Sequence, residues 1–215
     1  MTHQGSAPPD VAARKRNPRQ TRDRLVRAAL ELFTTRGYHE TTTPLIAARA
    51  GVAEGTIYRH FASKDELLNE IFRAGVRLFA GAVREADPRL HCRERLALIA
   101  KRWRDAGAKE PAVVRLVFSD AFAALVDEKS RTAARELRGE LEKVIAAGKA
   151  AGEVRPGSAE LWAEVWLRLV LLALDRIARG TWKADEPAVQ QVFDAGWDAI
   201  RVPGVTDRTA GPQPA

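Results

Sequence analysis

The sequence TTPLIAARAGVAEGTIYRHF, which spans residues 42–61, decides the fold. Thr43 offers a hydroxyl that can cap the N-terminus of a helix, and Pro44 suits the first helical position because its missing N–H costs nothing there. These signals predict a short helix over residues 44–50. Gly51 then permits the positive φ angle that a sharp turn requires.

A second short helix is predicted over about residues 54–61, after that turn. Two short helices cross at a steep angle only where the contact between them is small, and Ala47 provides such a contact. The apolar side chains of the stretch form a wedge on its inner side: Ile46, Ala50, Val52, Ile57 and Phe61. This arrangement is typical of a helix-turn-helix.

Helical periodicity continues on both sides of this motif, and no alternating strand pattern is evident. A first helix is predicted from Thr21 to a left-handed cap at Gly37, and a long helix is predicted from a cap at Ser63 to about residue 86. Four or five further helices follow, with breaks predicted at residues 106–111, 127–128, 152–157 and 180–187. The chain is therefore predicted to be all-α, with an N-terminal three-helix helix-turn-helix domain and a C-terminal helical bundle.

Composition excludes several classes of protein. The chain has 215 residues, of which 46% are hydrophobic and 29% charged, a balance typical of a soluble globular protein. Its one cysteine, Cys92, can form neither an internal disulfide nor a thiolate zinc site, so we expect no metal centre and no cofactor. No secretory signal is evident, and the longest apolar run, residues 161–177, carries charges that a membrane span rarely tolerates. We expect a cytoplasmic protein that does not enter a membrane.

The net charge of +7 is concentrated near the N-terminus. Residues 1–22 hold five basic residues against Asp10 alone. A basic arm ahead of a folded domain attracts polyanions because each cation near a phosphate releases condensed counterions. A solvated tail that only aids solubility is an equally good interpretation.

The outer face of the second short helix is polar and begins with small residues: Glu54, Gly55, Thr56, Tyr58, Arg59 and His60. Such a helix suits the major groove of DNA, with its N-terminal residues nearest the bases. Gly55 lets the backbone approach closely, and Arg59 is the best candidate to read a guanine. Glu54 either accepts from a cytosine amine or repels phosphate, and the sequence leaves both open.

Phosphate contacts are expected from side chains around that helix. Tyr58, His60 and Lys64 can donate to phosphates, and Thr43 can present both a hydroxyl and a helix N-terminus. Such contacts set the position of a protein on DNA and carry no sequence information. Double-stranded DNA is therefore the expected partner.

About fifty residues, 22–72, carry a resemblance to a known family. The motifs are Ala28-Ala29, Leu32-Phe33, Gly37-Tyr38, Thr41-Thr42, Ile46-Ala47, Ala50-Gly51-Val52, Gly55-Thr56-Ile57-Tyr58, His60-Phe61, Lys64 and Leu67-Leu68. This pattern resembles the N-terminal domain of TetR-family transcriptional regulators. Two positions depart from it, since Ala53 stands where the family usually has a side-chain cap and Leu45 fills a position that is often acidic or small.

The resemblance implies a homodimer that represses transcription at a palindromic operator and that an unknown small-molecule effector releases. It places DNA contacts on Thr43, Thr56, Tyr58, Arg59, His60 and Lys64. It places the dimer interface on the last two helices, at Leu161, Trp162, Val165, Trp166, Leu169, Val192, Phe193, Gly196, Trp197 and Ile200. By analogy with the family's ligand pocket, an apolar chamber is expected at Phe79, Leu98, Trp103, Phe118, Phe122 and Leu125, with Arg104, Arg115 or Asp120 as alternatives for a polar end.

The expected organisation has four parts. Residues 1–20 form a disordered basic arm, residues 21–67 the helix-turn-helix domain, residues 68–203 the domain for ligand binding and dimerisation, and residues 204–215 a flexible tail. The apolar stripes of the last two helices have a second interpretation, as core within one subunit.

Two other classes of function remain to be weighed. Catalysis needs a nucleophile, a base and an orienting group, or a metal or cofactor motif, and no such set is found, so an enzyme is not expected. The alternative is a helical dimeric interaction protein whose degenerate helix-turn-helix no longer binds DNA, for which Ala53 and Glu54 are the available hints.

Overall fold

The computed structural model describes residues 18–203, which form helices joined by short loops. The only strand-like pairing within those residues is an isolated antiparallel bridge between Val154 and Arg201, so the predicted all-α class is confirmed. In chain order the elements are α1 (Pro18–Thr35), α2 (Thr43–Ala50), a 3₁₀ helix (Glu54–Arg59), α3 (Lys64–Arg84), α4 (Cys92–Lys109), α5 (Pro111–Val117), α6 (Asp120–Ala123), α7 (Glu128–Ala150), α8 (Ala159–Ala178) and α9 (Pro187–Ile200).

Both ends of the predicted domain scheme lie largely outside the described residues. The predicted arm at residues 1–20 overlaps the structure only at residues 18–20, which are the first turn of α1 and not disordered. The predicted tail at residues 204–215 lies wholly outside it. The predicted boundary between residues 67 and 68 falls inside α3, so one continuous helix enters both units.

The region after α3 has more breaks than the sequence predicted. Between residues 92 and 203 the chain forms six helices, because the segment after Pro111 divides into α5 and the single turn α6. α4 continues through Gly107 to Lys109, so only the Glu110-Pro111 part of the break predicted at residues 106–111 is correct. Gly107 is buried, and a Cβ there would lie 3.0 Å from Val114 Cγ2, so this glycine allows α5 to pack closely on α4.

The N-terminal core is the predicted apolar wedge closed by α1. Leu25 and Phe33 of α1 are buried against Ile46 of α2, Ile57 of the 3₁₀ helix and Phe61, none of which is more than 2% exposed. Burial of such side chains contributes about 1.5–3 kcal/mol each. This core fixes α2 and the 3₁₀ helix against α1.

The C-terminal core lies among α3, α4, α5, α7, α8 and α9, with Trp103 and Trp166 at its centre. α3 crosses α5 closely at Gly75, where a Cβ would lie 2.6 Å from Val117 Cγ2 and 2.9 Å from Val113 Cγ1. None of the helices within residues 18–203 is long and apolar enough to span a lipid bilayer.

A buried polar junction joins α3 to the start of α7. Asn69 Oδ1 accepts hydrogen bonds from Ser130 Oγ and from the backbone N–H of Asp127, both at 2.8 Å. Arg73 donates to Ser130 Oγ at 3.0 Å and pairs with the Asp127 carboxylate at 3.2 Å. Burial by itself raises the pKa of Asp127, but the hydrogen bonds from Ser130 and Arg73 outweigh it and hold that pKa below its ordinary value.

Candidate nucleic-acid interface

The turn between α2 and the 3₁₀ helix has the geometry that the sequence predicted. Gly51 adopts φ +63° and ψ +43°, the left-handed region, and its N–H bonds to the carbonyls of Ala47 and Ala48. Val52 N–H also donates to Ala47 O, at 3.0 Å. A left-handed residue at this position is what reverses the chain direction within one residue.

The cap of α2 lies one residue earlier than predicted. Thr42, not Thr43, is the N-cap, and its Oγ1 accepts from Leu45 N–H at 3.4 Å. Adjacent threonines are equivalent as cap signals, so the sequence did not distinguish them. The consequence is that the hydroxyl of Thr43 is available for a longer-range contact.

That contact is with Tyr58, on the opposite helix of the motif. Thr43 Oγ1 lies 2.9 Å from Tyr58 Oη, and the Tyr58 side chain is 56% exposed. The hydrogen bond ties the N-terminus of α2 to the 3₁₀ helix on the outer side of the molecule. Two of the predicted DNA contacts therefore stand together on one exposed face.

The 3₁₀ helix is anchored on its inner side and open on its outer side. Ile57 is buried, Thr56 and His60 are half-buried, and Glu54, Gly55 and Arg59 are exposed. A Cβ added to Gly55 would meet nothing within 4 Å, and Gly55 does not have a positive φ, so the fold itself does not require a glycine there.

The helix begins without side-chain assistance, as the departure at Ala53 predicts. Ala53 is its N-cap residue and makes no side-chain cap hydrogen bond. Its carbonyl accepts from Thr56 N–H at 2.9 Å, and Ile57 O accepts from His60 and Phe61, both at 3.0 Å. The bonds from Thr56 to Ala53 and from His60 to Ile57 span i to i+3 and make the segment 3₁₀, a form that rarely extends beyond a few residues, while the bond from Phe61 spans i to i+4.

Lys64 makes contacts within its own chain that the sequence did not predict. Its Nζ donates to the carbonyls of Tyr38 at 2.9 Å and Thr41 at 2.8 Å, and it lies 4.1 Å from the centroid of the Tyr38 ring. Burial lowers the pKa of Lys64 below its ordinary value. With two of its three N–H groups the ammonium therefore holds the loop between α1 and α2 closed.

Arg24 is a residue that sequence reasoning missed. From α1 its Nη2 donates to the carbonyls of Ala50 and Gly51, the latter at 2.8 Å. A guanidinium at the C-terminal end of α2 meets carbonyls that have no partner within the helix. Arg24 thus fixes the turn against α1, and an arginine on an exposed helix face carries no local signal that would have revealed this.

Two of the surrounding arginines are engaged with carboxylates. Arg49 pairs with Glu31 at 2.8 Å, and Arg22 pairs with Glu70 while its guanidinium lies 5.0 Å from the centroid of the Phe61 ring. Arg59, by contrast, makes no side-chain hydrogen bond or ion pair within residues 18–203. Arg59 is therefore an uncommitted guanidinium on the exposed side of the 3₁₀ helix.

The residues predicted to form one apolar chamber are divided by the fold. Phe79, Trp103 and Phe118 pack on one another with ring centroids 4.7–5.9 Å apart, so there is no space among them. Leu98 borders a cavity of about 270 Å³ among α4, α8 and α9. Phe118 and Phe122 border a different cavity of about 750 Å³, and Leu125 lines neither of these two.

The predicted interface residues of α8 and α9 fall into two groups. Four of them are buried in the subunit's own core: Trp166, Phe193, Gly196 and Ile200. A Cβ on Gly196 would lie 3.4 Å from Trp166 Cδ1, so this glycine brings α9 close to α8 of the same chain. An apolar stripe wider than one contact surface explains the error, because such a stripe does not say which part faces inward.

The other six predicted positions keep some exposure. Leu161 is 53% exposed, and Val165, Leu169, Val192, Trp162 and Trp197 are half-buried. Trp162 lies under the guanidinium of Arg155, 5.4 Å from its ring centroid, and donates to Pro156 O at 3.1 Å. Trp197 borders the smaller cavity, beside α4.

Comparison with known proteins identifies the family. The pattern of the family described as "Bacterial regulatory proteins, tetR family" matches residues 25–71, which include the whole turn motif. The HTH-type transcriptional regulator TcmR of Streptomyces glaucescens is 31% identical over 213 residues, covering 91% of this chain and 89% of that protein. The fatty acid metabolism regulator protein of Bacillus subtilis is 34% identical over 76 residues, covering 35% of this chain and 39% of that protein.

A solved structure agrees in fold over most of the chain. A tetR family transcription regulator from Shewanella sp. PV-4 superposes with a TM-score of 0.70 at 24% identity, covering 85% of this chain and 98% of that one. The match with TcmR extends through both the motif and the C-terminal helices. The chain therefore belongs to the tetR family of DNA-binding transcriptional regulators, which are not enzymes.

Proposed function

We propose that this chain is a homodimeric repressor that binds a near-palindromic operator and is released from it by a small molecule. The N-terminal helices to residue 67 form the DNA-binding unit, and residues 68–203 form the unit for dimerisation and effector binding. The observation that carries the proposal is the exposed face on which Tyr58 is hydrogen-bonded to Thr43 beside the bare backbone of Gly55.

The absence of a side chain at Gly55 supports a close approach by DNA. A glycine in a short helix costs stability relative to alanine, and here the fold has open space for a methyl group. The glycine therefore serves something outside the chain. A phosphate or a base edge in the major groove, which is about 12 Å wide, is the partner that this face fits.

The roles within the face follow from what each side chain already contacts. Arg59 is uncommitted and reads a base. The hydrogen bond between Thr43 and Tyr58 uses one of their two hydroxyl protons, and the pair donates the other to a phosphate. The contact with DNA is bordered by Thr56, His60 and Glu54. Glu54 repels phosphate unless it accepts a hydrogen bond from a cytosine amine. Lys64 acts by holding the loop before α2, and its third N–H is the one left for phosphate.

A dimer is supported by the outer face of α8 and α9. Leu161, Val165 and Leu169 lie at helical spacing on α8, and α9 carries a stripe of small or half-exposed residues at Ala188, Val192, Ala195 and Ala199. Two such faces related by a two-fold axis form a four-helix contact. The two recognition faces then lie about 34–36 Å apart, one turn of DNA, and the operator is a near-palindrome.

Repression follows from occupancy, because a dimer seated across its operator excludes other proteins from that DNA. Release requires an effector that binds the DNA-free conformation better than the DNA-bound one. The cavity beside Phe118 and Phe122 is the candidate effector site, since it touches both α1 and the C-terminal helices.

The experiment selects bound fragments from random DNA with the full chain and measures affinity by fluorescence anisotropy. Gly55→Ala is expected to weaken binding about tenfold or more while the melting temperature stays within about 2 °C of the parent. Gly139→Ala is the matched control, since a Cβ at Gly139 also meets nothing within 4 Å, and it should leave DNA affinity unchanged.

Arg59→Ala tests the assignment of the base reader. It is expected to relax preference at one base position by about 1–3 kcal/mol, seen as one flattened column in the selected sequences. A protein that binds no duplex at low salt would instead favour an interaction protein with a degenerate motif, and would overturn the proposal.

A further inference from the structure

The larger cavity is partly open to solvent and is bordered by the last turn of α1, by α5 and α6, and by α8. Its volume of about 750 Å³ lies within the range of small-molecule sites in proteins. The apolar part of its wall is contributed by Val114, Phe118, Phe122, Leu171 and Leu172. A ligand with an apolar body is the occupant that such a wall favours.

The cavity also contains a cationic group whose hydrogen-bonding capacity is only partly used. Arg115 of α5 donates from Nη1 to the carbonyl of Ala178 at 2.5 Å. Its Nε is buried and has no hydrogen-bond partner within residues 18–203. Arg115 lines the cavity wall, and a carboxylate is the strongest partner for a guanidinium.

The other two arginines of the cavity wall are paired with carboxylates. Arg168 pairs with Glu164 at 2.6 Å, and Arg179 pairs with Asp175 at 2.8 Å. Asp120 is exposed at the start of α6. Arg115 is therefore the cation of this wall that has no carboxylate partner within the described part of the chain.

We propose that this cavity binds an amphipathic carboxylate. The acid group pairs with Arg115, and the apolar body lies against Phe118, Phe122 and Leu171. The inference rests on the proposed function in one respect, namely that the occupant is the effector that releases DNA.

The position of the cavity gives such a ligand access to the DNA-binding unit. Thr34, in the last turn of α1, forms part of the wall, and α1 packs directly on α5. An occupant therefore contacts the same helix whose Arg24 holds the turn after α2. Binding that shifts α1 relative to α8 changes the orientation of the recognition face.

The test measures binding of three probes with the same ten-carbon chain by isothermal titration calorimetry: decanoate, decan-1-ol and decyltrimethylammonium. Decanoate is expected to bind about tenfold or more tightly than the other two. Arg115→Met should remove the tighter binding of decanoate and leave the affinity for decan-1-ol unchanged. Arg77→Met, an exposed arginine of α3 that does not line the cavity, is the matched control and should change neither.

A second variant guards against loss of folding in Arg115→Met. Ala121 is exposed at the cavity, and Ala121→Trp should occlude it and abolish decanoate binding while the melting temperature is retained. Equal affinity for the three probes, tightest binding of the cationic probe, or decanoate binding that survives both variants would each overturn the inference.

Operator binding is measured first without any probe, so that the two proposals fail separately. Decanoate is expected to weaken operator binding by the parent protein and not by Arg115→Met. An operator complex that forms normally and ignores decanoate refutes this inference alone, whereas a chain that ignores DNA but binds decanoate through Arg115 refutes only the proposed function.

Discussion

Replacing Gly51 by alanine perturbs the turn of the motif in two separable ways. The left-handed backbone at φ +63° costs an L-residue about 1–2 kcal/mol. The new Cβ would also lie 2.7 Å from Arg24 Nη2, so the guanidinium has to leave the carbonyls of Ala50 and Gly51. The bond to Ala50 is part-buried and the bond to Gly51 is exposed, and together they contribute about 1 kcal/mol.

The expected loss for Gly51→Ala is therefore about 2–3 kcal/mol in the free energy of unfolding. The same substitution made in an Arg24→Met background should cost only the backbone strain, about 1–2 kcal/mol. Urea unfolding followed by circular dichroism, at one protein concentration for all four proteins, gives the coupling between the two sites as the difference.

A coupling of about 1 kcal/mol is expected. Gly139→Ala serves as the control for the substitution itself, because Gly139 lies within α7 with open space around it, and alanine there should stabilise the helix by about 0.5–1 kcal/mol. The reasoning fails if Gly51→Ala costs the same with and without Arg24, since the guanidinium would then contribute nothing to the turn.

Four further outcomes follow from single residues. Ala53→Ser supplies the missing cap of the 3₁₀ helix and should raise the free energy of unfolding by about 1 kcal/mol in urea titrations, and an unchanged value would contradict the uncapped helix start. Ser130→Ala leaves Asn69 Oδ1 without one of its two donors and should lower the same quantity by about 1–2 kcal/mol, whereas a neutral effect would mean that water replaces the hydroxyl. Burial, with a smaller contribution from Glu153, raises the pKa of Cys92 to about 12. Iodoacetamide at pH 8 should therefore modify the thiol of the native protein no faster than the protein unfolds. Rapid modification would refute the buried, protonated thiol. The pKa of Asp127 is lowered in the folded protein, so its carboxylate stabilises the fold above the ordinary aspartate pKa of about 3.9, and this stabilisation is lost as pH falls through the lower folded pKa. Asp127→Asn should therefore reduce the fall in melting temperature at acid pH. Parallel curves of melting temperature against pH for the parent and the variant would contradict this.

The N-terminal motif was predictable because its signals are local. The left-handed glycines at positions 37 and 51 and the cap at Ser63 each act on the backbone within four residues, and all three are confirmed. The cap of α2 was placed one residue late, since Thr42 and Thr43 carry the same hydroxyl. Only the geometry of the loop from Gly37 decides which of them meets the helix.

What the sequence could not supply are contacts between distant residues. Lys64 and Tyr38 stand 26 positions apart, and nothing in either segment indicates that the ammonium closes the loop. The sequence predicted a partner surface for Trp166 and Phe193 because an apolar stripe does not show whether it faces the subunit's own core or a partner. Their burial is settled by how α8 and α9 pack on α4, which depends on the whole bundle.

The bare outer side of the 3₁₀ helix has an evolutionary consequence. Ile57 attaches this helix to the core, while Glu54, Gly55 and Arg59 contact almost nothing in their own chain. Under the proposed function, mutations at those three positions change the choice of DNA target without destabilising the fold. Regulators built this way can diverge in target choice after gene duplication faster than they diverge in architecture.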